Sequence, residues 1–145
     1  MKEALRQIRG LSNQKKWFLF KCSCLSLLLR VSFKVAGFKK TIALLSKFNT
    51  GLPVHPNENN PNNIERYRRL IFLSNSFRPA LNCLSISAAY WWLMKTKGII
   101  TELKFGMKNA EGKFAAHAWL EYNGKPLTTD IEVGEKYIPF RESIL

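Results

Sequence analysis

Two residues that can do acid–base chemistry, His117 and Asp130, are placed opposite one another by the local sequence pattern. Asn123-Gly124 separates two alternating, strand-like runs, Phe114–Tyr122 and Lys125–Val133. Asn-Gly between such runs is the strongest short-range signal for a hairpin with a two-residue type I′ turn. In that register His117 faces Asp130 directly, with Cβ atoms about 4.5–5.5 Å apart. A carboxylate at that distance can accept a hydrogen bond from an imidazole and fix its tautomer.

Cys83 supplies the nucleophile that would complete a set of three. It lies at the start of a predicted helix that runs to Thr96, with Asn82 as the N-cap and Gly98 just past the end. A cysteine in the first turn of a helix feels the positive end of the helix dipole, which favours the thiolate. Thiolate, imidazole base and orienting carboxylate are the machinery of a thiol acyl-transfer enzyme. A backbone N–H at the helix start can help to bind the oxyanion, and Asn82 is a candidate side-chain donor.

Each of these residues also has a purely structural interpretation. A cysteine at a helix start is often only a small buried residue, and a strand histidine beside an aspartate can be a surface pair. The combination is more specific than its members, because the chain contains two histidines and Asp130 is its only aspartate. From spacing alone, a catalytic triad and a structural arrangement remain equally open.

The positive charge of the chain is concentrated in its N-terminal part. The 145 residues carry a net charge of +13. Residues 1–82 hold 15 Lys/Arg and three Glu, whereas residues 83–145 hold 8 basic and 7 acidic residues. Such an excess attracts nucleic acid, an anionic membrane surface or an acidic protein. Because the aromatic and basic residues are not interleaved in any known nucleic-acid signature, we expect no nucleic-acid partner.

The cysteine content and the N-terminal hydropathy indicate a cytoplasmic protein. Three cysteines without a Cys-rich pattern argue against a disulfide framework. Cys22, Cys24 and His55 lack the spacing of metal ligands, so we expect no metal and no other cofactor. The apolar run Trp17–Leu29 is interrupted by a lysine and followed by no cleavage site, which predicts a buried or interfacial helix. A peripheral membrane contact through this basic helix stays open.

The order of predicted elements, helices and then strands, indicates an α+β fold. Residues 15–48 are predicted to form two helical segments hinged near Gly37, and residues 49–63 a Pro/Asn-rich loop. The remaining predicted elements are a helix Ile64–Asn75 ending before Arg78-Pro79, the Cys83 helix, and strands Ile99–Met107, Phe114–Tyr122 and Lys125–Val133, with Lys108–Lys113 as a loop. We assign residues 1–63 to a basic helical region packed on or docking to the core. Residues 64–145 are assigned to a core in which the nucleophile-bearing helix packs on a small antiparallel sheet.

The chain resembles the leader peptidases of lasso-peptide biosynthesis in three places. These are Cys83-Leu84 at a helix start, Gly98-Ile99 after that helix, and Ala-His117-Ala-Trp119-Leu-Glu121 ahead of the strand with Asp130. The resemblance covers about residues 64–131, and Ala-His-Ala-Trp is a fairly specific string. These B-type proteins are similar in fold to transglutaminases and papain-like enzymes, so the resemblance implies a core of that kind.

The same resemblance implies a cysteine endopeptidase that cleaves the leader peptide from a ribosomally synthesised precursor. In this interpretation Cys83 is the nucleophile, His117 the base and Asp130 the orienting acid, while Trp119 and Glu121 match the motif as candidates for substrate contact. A small leader-recognition protein and a separate asparagine-synthetase-like cyclase are the implied partners, and the stand-alone form is expected. The alternatives are a transglutaminase-like acyltransferase and a non-catalytic basic binding module.

Overall fold

The computed structural model of the protein describes residues 6, 8–48, 61–75, 82–110, 113–127 and 138–139. Within these ranges helices precede strands, which confirms the predicted α+β class. The elements are α1 Asn13–Val35, α2 Phe38–Lys47, α3 Pro61–Asn75, α4 Cys83–Lys95, β1 Glu102–Ala110, β2 Lys113–Tyr122, β3 Lys125–Pro126 and β4 Ile138–Pro139.

The first two helices are separate because the chain bends at Gly37. This residue has a φ of 81°, in the left-handed region where glycine is favoured. Thr41 Oγ1 donates a hydrogen bond to the Gly37 carbonyl at 2.9 Å. The rings of Phe33 and Phe38 meet across the bend, with their centroids 5.4 Å apart. The predicted hinge is confirmed.

The helix that begins at Cys83, α4, is the central element of the core. It packs against α1, α3 and β2, and its Ala88, Ala89 and Tyr90 are fully enclosed. A helix that is apolar on every side requires partners on every side, which the surrounding elements provide. The Tyr90 hydroxyl forms a hydrogen bond of 2.9 Å with Ser74 Oγ of α3, so its burial leaves that polar group paired.

The turn that ends α4 explains why β1 begins later than predicted. Gly98 has a φ of 76°, and the next residue, Ile99, donates its N–H back to the Met94 carbonyl at 3.0 Å. This is the bond pattern of a glycine-terminated helix. Because Ile99 belongs to the helix end, the strand predicted to start there starts at Glu102. The predicted stop at Gly98 is confirmed.

The sheet is antiparallel, with strand order β3-β2-β1-β4. The hairpin of β1 and β2 is longer than predicted, because residues from the expected loop Lys108–Lys113 join the strands and Ala110 pairs with Lys113. Their polar character predicted a loop. Backbone pairing continues there because the hydrogen bonds of an antiparallel pair join main-chain groups and do not require apolar side chains.

The two edge strands differ in how well the sequence predicts them. For the third strand, predicted to run from Lys125 to Val133, only β3 is described, and residues 128–137 lie outside the described part of the chain. The fourth strand was not predicted. β4 pairs with β1 through Gly106 and Met107, and its proline is tolerated because β4 is an edge strand.

The N-terminal helices share their core with the rest of the described molecule. Leu19, Cys22 and Leu29 of α1 lie in the same buried cluster as residues of α3 and α4. The division of the chain after residue 63 stays a prediction. Residues 49–60 of the predicted loop, and Arg78-Pro79, lie outside the described residues. The loop prediction is wrong for residues 61–63, which form the start of α3, because a proline is well suited to the first position of a helix. No helix in the described ranges has the length and apolar character needed to cross a bilayer.

Candidate active site

Cys83 is the first residue of α4, as predicted, and its thiol is half-buried and free. The helix begins there because Asn82 caps it: the Asn82 side-chain oxygen accepts the Ser85 N–H at 2.7 Å. The Ser85 hydroxyl in turn donates to the Asn82 carbonyl at 3.1 Å. These bonds fix the first turn and hold the Cys83 backbone at the positive end of the helix dipole.

The role predicted for Asn82 as an oxyanion donor is limited by this cap. The bond from the Ser85 N–H to its side-chain oxygen fixes the orientation of this exposed side chain, so its amide nitrogen, which is the donor, can reach a substrate only from that orientation. The backbone N–H groups at the start of α4 stay the stronger candidates, because helix-initial N–H groups have no partner within the helix.

A buried hydrogen bond joins the helix of Cys83 to the strand of His117. Ser87, one turn after Cys83, donates its hydroxyl to the carbonyl of Ala118 at 3.1 Å. Ala118 directly follows His117 in β2. The bond therefore sets the position of the helix start relative to the histidine strand from inside the core.

His117, Trp119 and Glu121 lie on the same face of β2 because side chains alternate along a strand. The rings of His117 and Trp119 are nearly parallel, at 13°, with centroids 6.3 Å apart. The indole of Trp119 is buried, and its Nε1 donates to Glu121 Oε1 at 2.8 Å. The indole thus supports the imidazole on one side and is itself held by the carboxylate.

Gly106 is a residue of this site that the sequence analysis missed. It lies opposite His117 in the β1–β2 register, and the indole of Trp119 covers it. A Cβ at this position would lie 2.9 Å from Trp119 Cη2 and 2.8 Å from the Ile138 carbonyl oxygen. A glycine inside a predicted strand is a signal of such close approach, and it was available in the sequence.

Asp130, the predicted orienting acid, lies outside the described residues, so its side chain has no place in the described geometry. The hairpin that would position it has the predicted form. Asn123 and Gly124 both have positive φ, 50° and 71°, as a type I′ turn requires. Tyr122 pairs with Lys125, which is the register on which the prediction of Asp130 opposite His117 rests.

The three cysteines lie in different environments, so their alkylation rates test the predicted pair of Cys83 and His117. Cys22 is buried, and desolvation raises the pKa of its thiol to about 12, whereas Cys24 is exposed. At about pH 6, where an ordinary thiol is almost wholly protonated, we expect iodoacetamide to modify Cys83 first, Cys24 slowly and Cys22 not at all. Peptide mass spectrometry of timed samples gives the three rates.

The matched variant for this measurement is His117→Ala. Removing the imidazole should slow the alkylation of Cys83 by about tenfold or more, because the thiolate loses its counter-charge, and should leave Cys24 unchanged. Equal rates for Cys83 in the native and variant chains would contradict the pair.

Of the comparisons with known proteins, one gives a match. A family model described as the transglutaminase-like superfamily matches residues 25–142, a range that includes α4, the whole described sheet and Asp130. No curated protein and no solved structure gives a significant match. Because the family model covers well over half of the sequence, this chain belongs to the transglutaminase-like superfamily.

Proposed function

We propose that the protein is a cysteine endopeptidase that removes the leader peptide from a lasso-peptide precursor. The observation that carries the proposal is the half-buried Cys83 thiol at the start of a helix that is hydrogen-bonded to the strand of His117. Membership in the transglutaminase-like superfamily supports cysteine-based chemistry. The resemblance of the strings around Cys83 and His117 to the leader peptidases supports the choice of substrate.

The proposed reaction passes through a thioester. His117 takes the proton of the Cys83 thiol, and the sulfur attacks the carbonyl carbon of the peptide bond that joins leader and core. Backbone N–H groups at the start of α4 stabilise the oxyanion. His117 then gives its proton to the leaving amine, which becomes the N-terminus of the core peptide. Water activated by His117 hydrolyses the leader thioester, while Asp130 keeps the imidazole in the correct tautomer.

Trp119 and Glu121 have a positioning function in this proposal. The indole stacks beside the imidazole of His117, and its bond to Glu121 fixes the indole plane. The buried indole has no surface to offer a substrate, whereas the partly exposed Glu121 keeps one. Both residues therefore hold His117 in place, and only Glu121 is a candidate for contact with the peptide.

Acyl transfer to an amine is the second function that the family supports, because both reactions share the thioester on Cys83. They differ only in the group that resolves it, water or an amine. The mass of the product distinguishes hydrolysis from acyl transfer, and the cleavage experiment described below measures it.

The proposed partners follow from the substrate. A small leader-recognition protein would present the precursor, and an asparagine-synthetase-like cyclase would close the ring on the amine that cleavage releases. The net positive charge of the chain would speed its encounter with an acidic partner or precursor segment.

The test is cleavage of synthetic lasso-type precursors by the purified full chain, with and without a leader-recognition protein. Mass spectrometry should find two fragments that together weigh one water more than the precursor. A leader fragment joined to an added amine would instead identify an acyltransferase. Activity that is unchanged in Cys83→Ala, or an intact precursor under every condition in which Cys83 is readily alkylated, would refute the proposal.

A further inference from the structure

The outward face of α1 carries a continuous apolar stripe. Its members, which we call the outer stripe, are Trp17, Phe20, Leu27, Leu28, Val31 and Val35, and all are exposed. Trp17 is 58% exposed, Leu28 68% and Val31 61%. Their spacing of three, four and seven places them on one side of the helix, whereas Leu19, Cys22 and Leu29 enter the core from the opposite side. The helix is therefore apolar on two sides, of which its own core uses one.

Basic side chains border the outer stripe on both flanks. At 100° per residue, Lys21 lies beside one edge of the stripe, and Lys16 and Lys34 lie beside the other. Lys21 Nζ lies 5.5 Å from the Trp17 ring centroid, so its aliphatic stem follows the apolar surface. Together α1 and α2 contain eight Lys/Arg and no Asp or Glu.

We propose that the outer stripe binds the surface of an anionic membrane, with α1 lying parallel to that surface. The stripe extends about 27 Å from Trp17 to Val35, at a rise of about 1.5 Å per residue. Its apolar side chains would enter the boundary between headgroups and acyl chains, while the bordering lysines reach the phosphates. The aromatic pair Trp17 and Phe20, stacked at 5.5 Å, suits the headgroup level.

The distribution of charge around the outer stripe favours a membrane over a groove in another protein as its binding partner. A groove that accepts this helix would have to match two basic flanks and further lysines on α2 with acidic groups at particular positions. A lipid surface matches them all, because its negative charge is spread in a plane and each lysine near it adds about fivefold to binding. This inference does not depend on the proposed peptidase activity, since α1 contacts α4 through its other face.

The experiment measures cosedimentation of the full chain with vesicles of phosphatidylcholine alone or with about one-third phosphatidylglycerol. We expect binding to the anionic vesicles and much weaker binding to the neutral ones. Leu28→Glu should reduce binding by about tenfold or more, and Lys21→Glu combined with Lys34→Glu should do the same. Tryptophan fluorescence should shift to the blue on binding, because Trp17 is exposed in the outer stripe, whereas Trp91 and Trp119 are buried and Trp92 is partly buried outside the stripe.

Matched variants distinguish binding through the outer stripe from nonspecific adsorption of apolar or basic residues to the vesicles. Ile100→Glu changes an apolar residue outside the stripe that is even more exposed than Leu28. Lys125→Glu reverses an exposed charge in the hairpin. Both variants should bind like the native chain. Circular dichroism of each variant verifies folding. Equal binding to neutral and anionic vesicles, or binding that Leu28→Glu leaves unchanged, overturns the proposal. So does a dimer in light scattering that Leu28→Glu dissociates, which would assign the stripe to a second copy of the chain.

Discussion

Replacing Cys83 by alanine is expected to lower kcat/KM for precursor cleavage by about 10⁴-fold or more. The thiol is the only proposed group that can form the thioester, so its loss removes the reaction path and not merely a contact. Cys83 is half-buried at the helix start, and an alanine there keeps the cap and the helix. The binding of the precursor should therefore survive while turnover disappears, and initial rates and the dissociation constant measure the two separately.

The control for this prediction is Cys24→Ala, which removes an exposed thiol from the same chain and should leave turnover unchanged. His117→Ala should fall to nearly the level of Cys83→Ala, and the double variant should be no worse than either. Residues that act as a unit in one reaction path show such non-additive losses. Multiplicative losses in the double variant would mean that Cys83 and His117 act independently and would contradict the proposed mechanism.

Replacing Trp119 by alanine is expected to destabilise the protein by about 3–5 kcal/mol. The indole is 1% exposed, covers Gly106 and donates a hydrogen bond to Glu121, so its removal leaves a cavity and takes away the indole donor of Glu121. Domains of this size are stable by only about 5–15 kcal/mol, so the loss is a large share of the total. Urea denaturation followed by circular dichroism measures it. Trp17→Ala, at an exposed tryptophan, should change stability by less than about 0.5 kcal/mol.

A double-mutant cycle tests whether the indole is positioned as described. Gly106→Ala alone should cost about 1–3 kcal/mol, because the new Cβ would be too close to the indole and to the Ile138 carbonyl. In a Trp119→Ala background the same change should cost clearly less, because one of the two obstacles is gone. Costs that simply add would show that Trp119 and Gly106 do not touch.

Sequence patterns predicted correctly those turns and helix ends whose conformation depends on one or two neighbouring residues. The hinge at Gly37, the cap at Asn82 and the type I′ turn at Asn123-Gly124 each depend on the conformational range of one or two residues. A short side chain that forms a hydrogen bond with the backbone, or a residue without a Cβ, determines the backbone conformation only within a few residues along the chain. For the same reason the first residue of α4 was predicted correctly from Asn82 alone.

Features that depend on distant partners were predicted poorly or not at all. β4 consists of two residues that pair with the middle of β1, and so short a strand has no periodicity of its own to detect. Ile99 has the apolar character of a strand residue but caps the preceding helix. The close approach of Trp119 to Gly106 requires the register of two strands, although a glycine within a strand was already a signal.

The residues of the candidate site differ in how much of their placement the sequence predicted. Cys83 and His117 lie at the predicted helix start and strand face, because capping and strand alternation are local rules. The hydrogen bond between their two elements, from Ser87 to Ala118, joins residues that are 31 positions apart in the sequence. No rule of residue spacing predicts such a bond. Asp130 opposite His117 stays a prediction from the hairpin register.

The enclosure of α4 also determines how the site can move. Amide hydrogens in the middle of a helix that is buried on all sides exchange with solvent only when the surrounding structure opens with it. The backbone behind Cys83 therefore fluctuates on the timescale of global unfolding, whereas the exposed hairpin tip at Asn123-Gly124 can move within nanoseconds to microseconds. Cys83 thus begins the helix that moves least, and adjustment to a substrate falls to the hairpin.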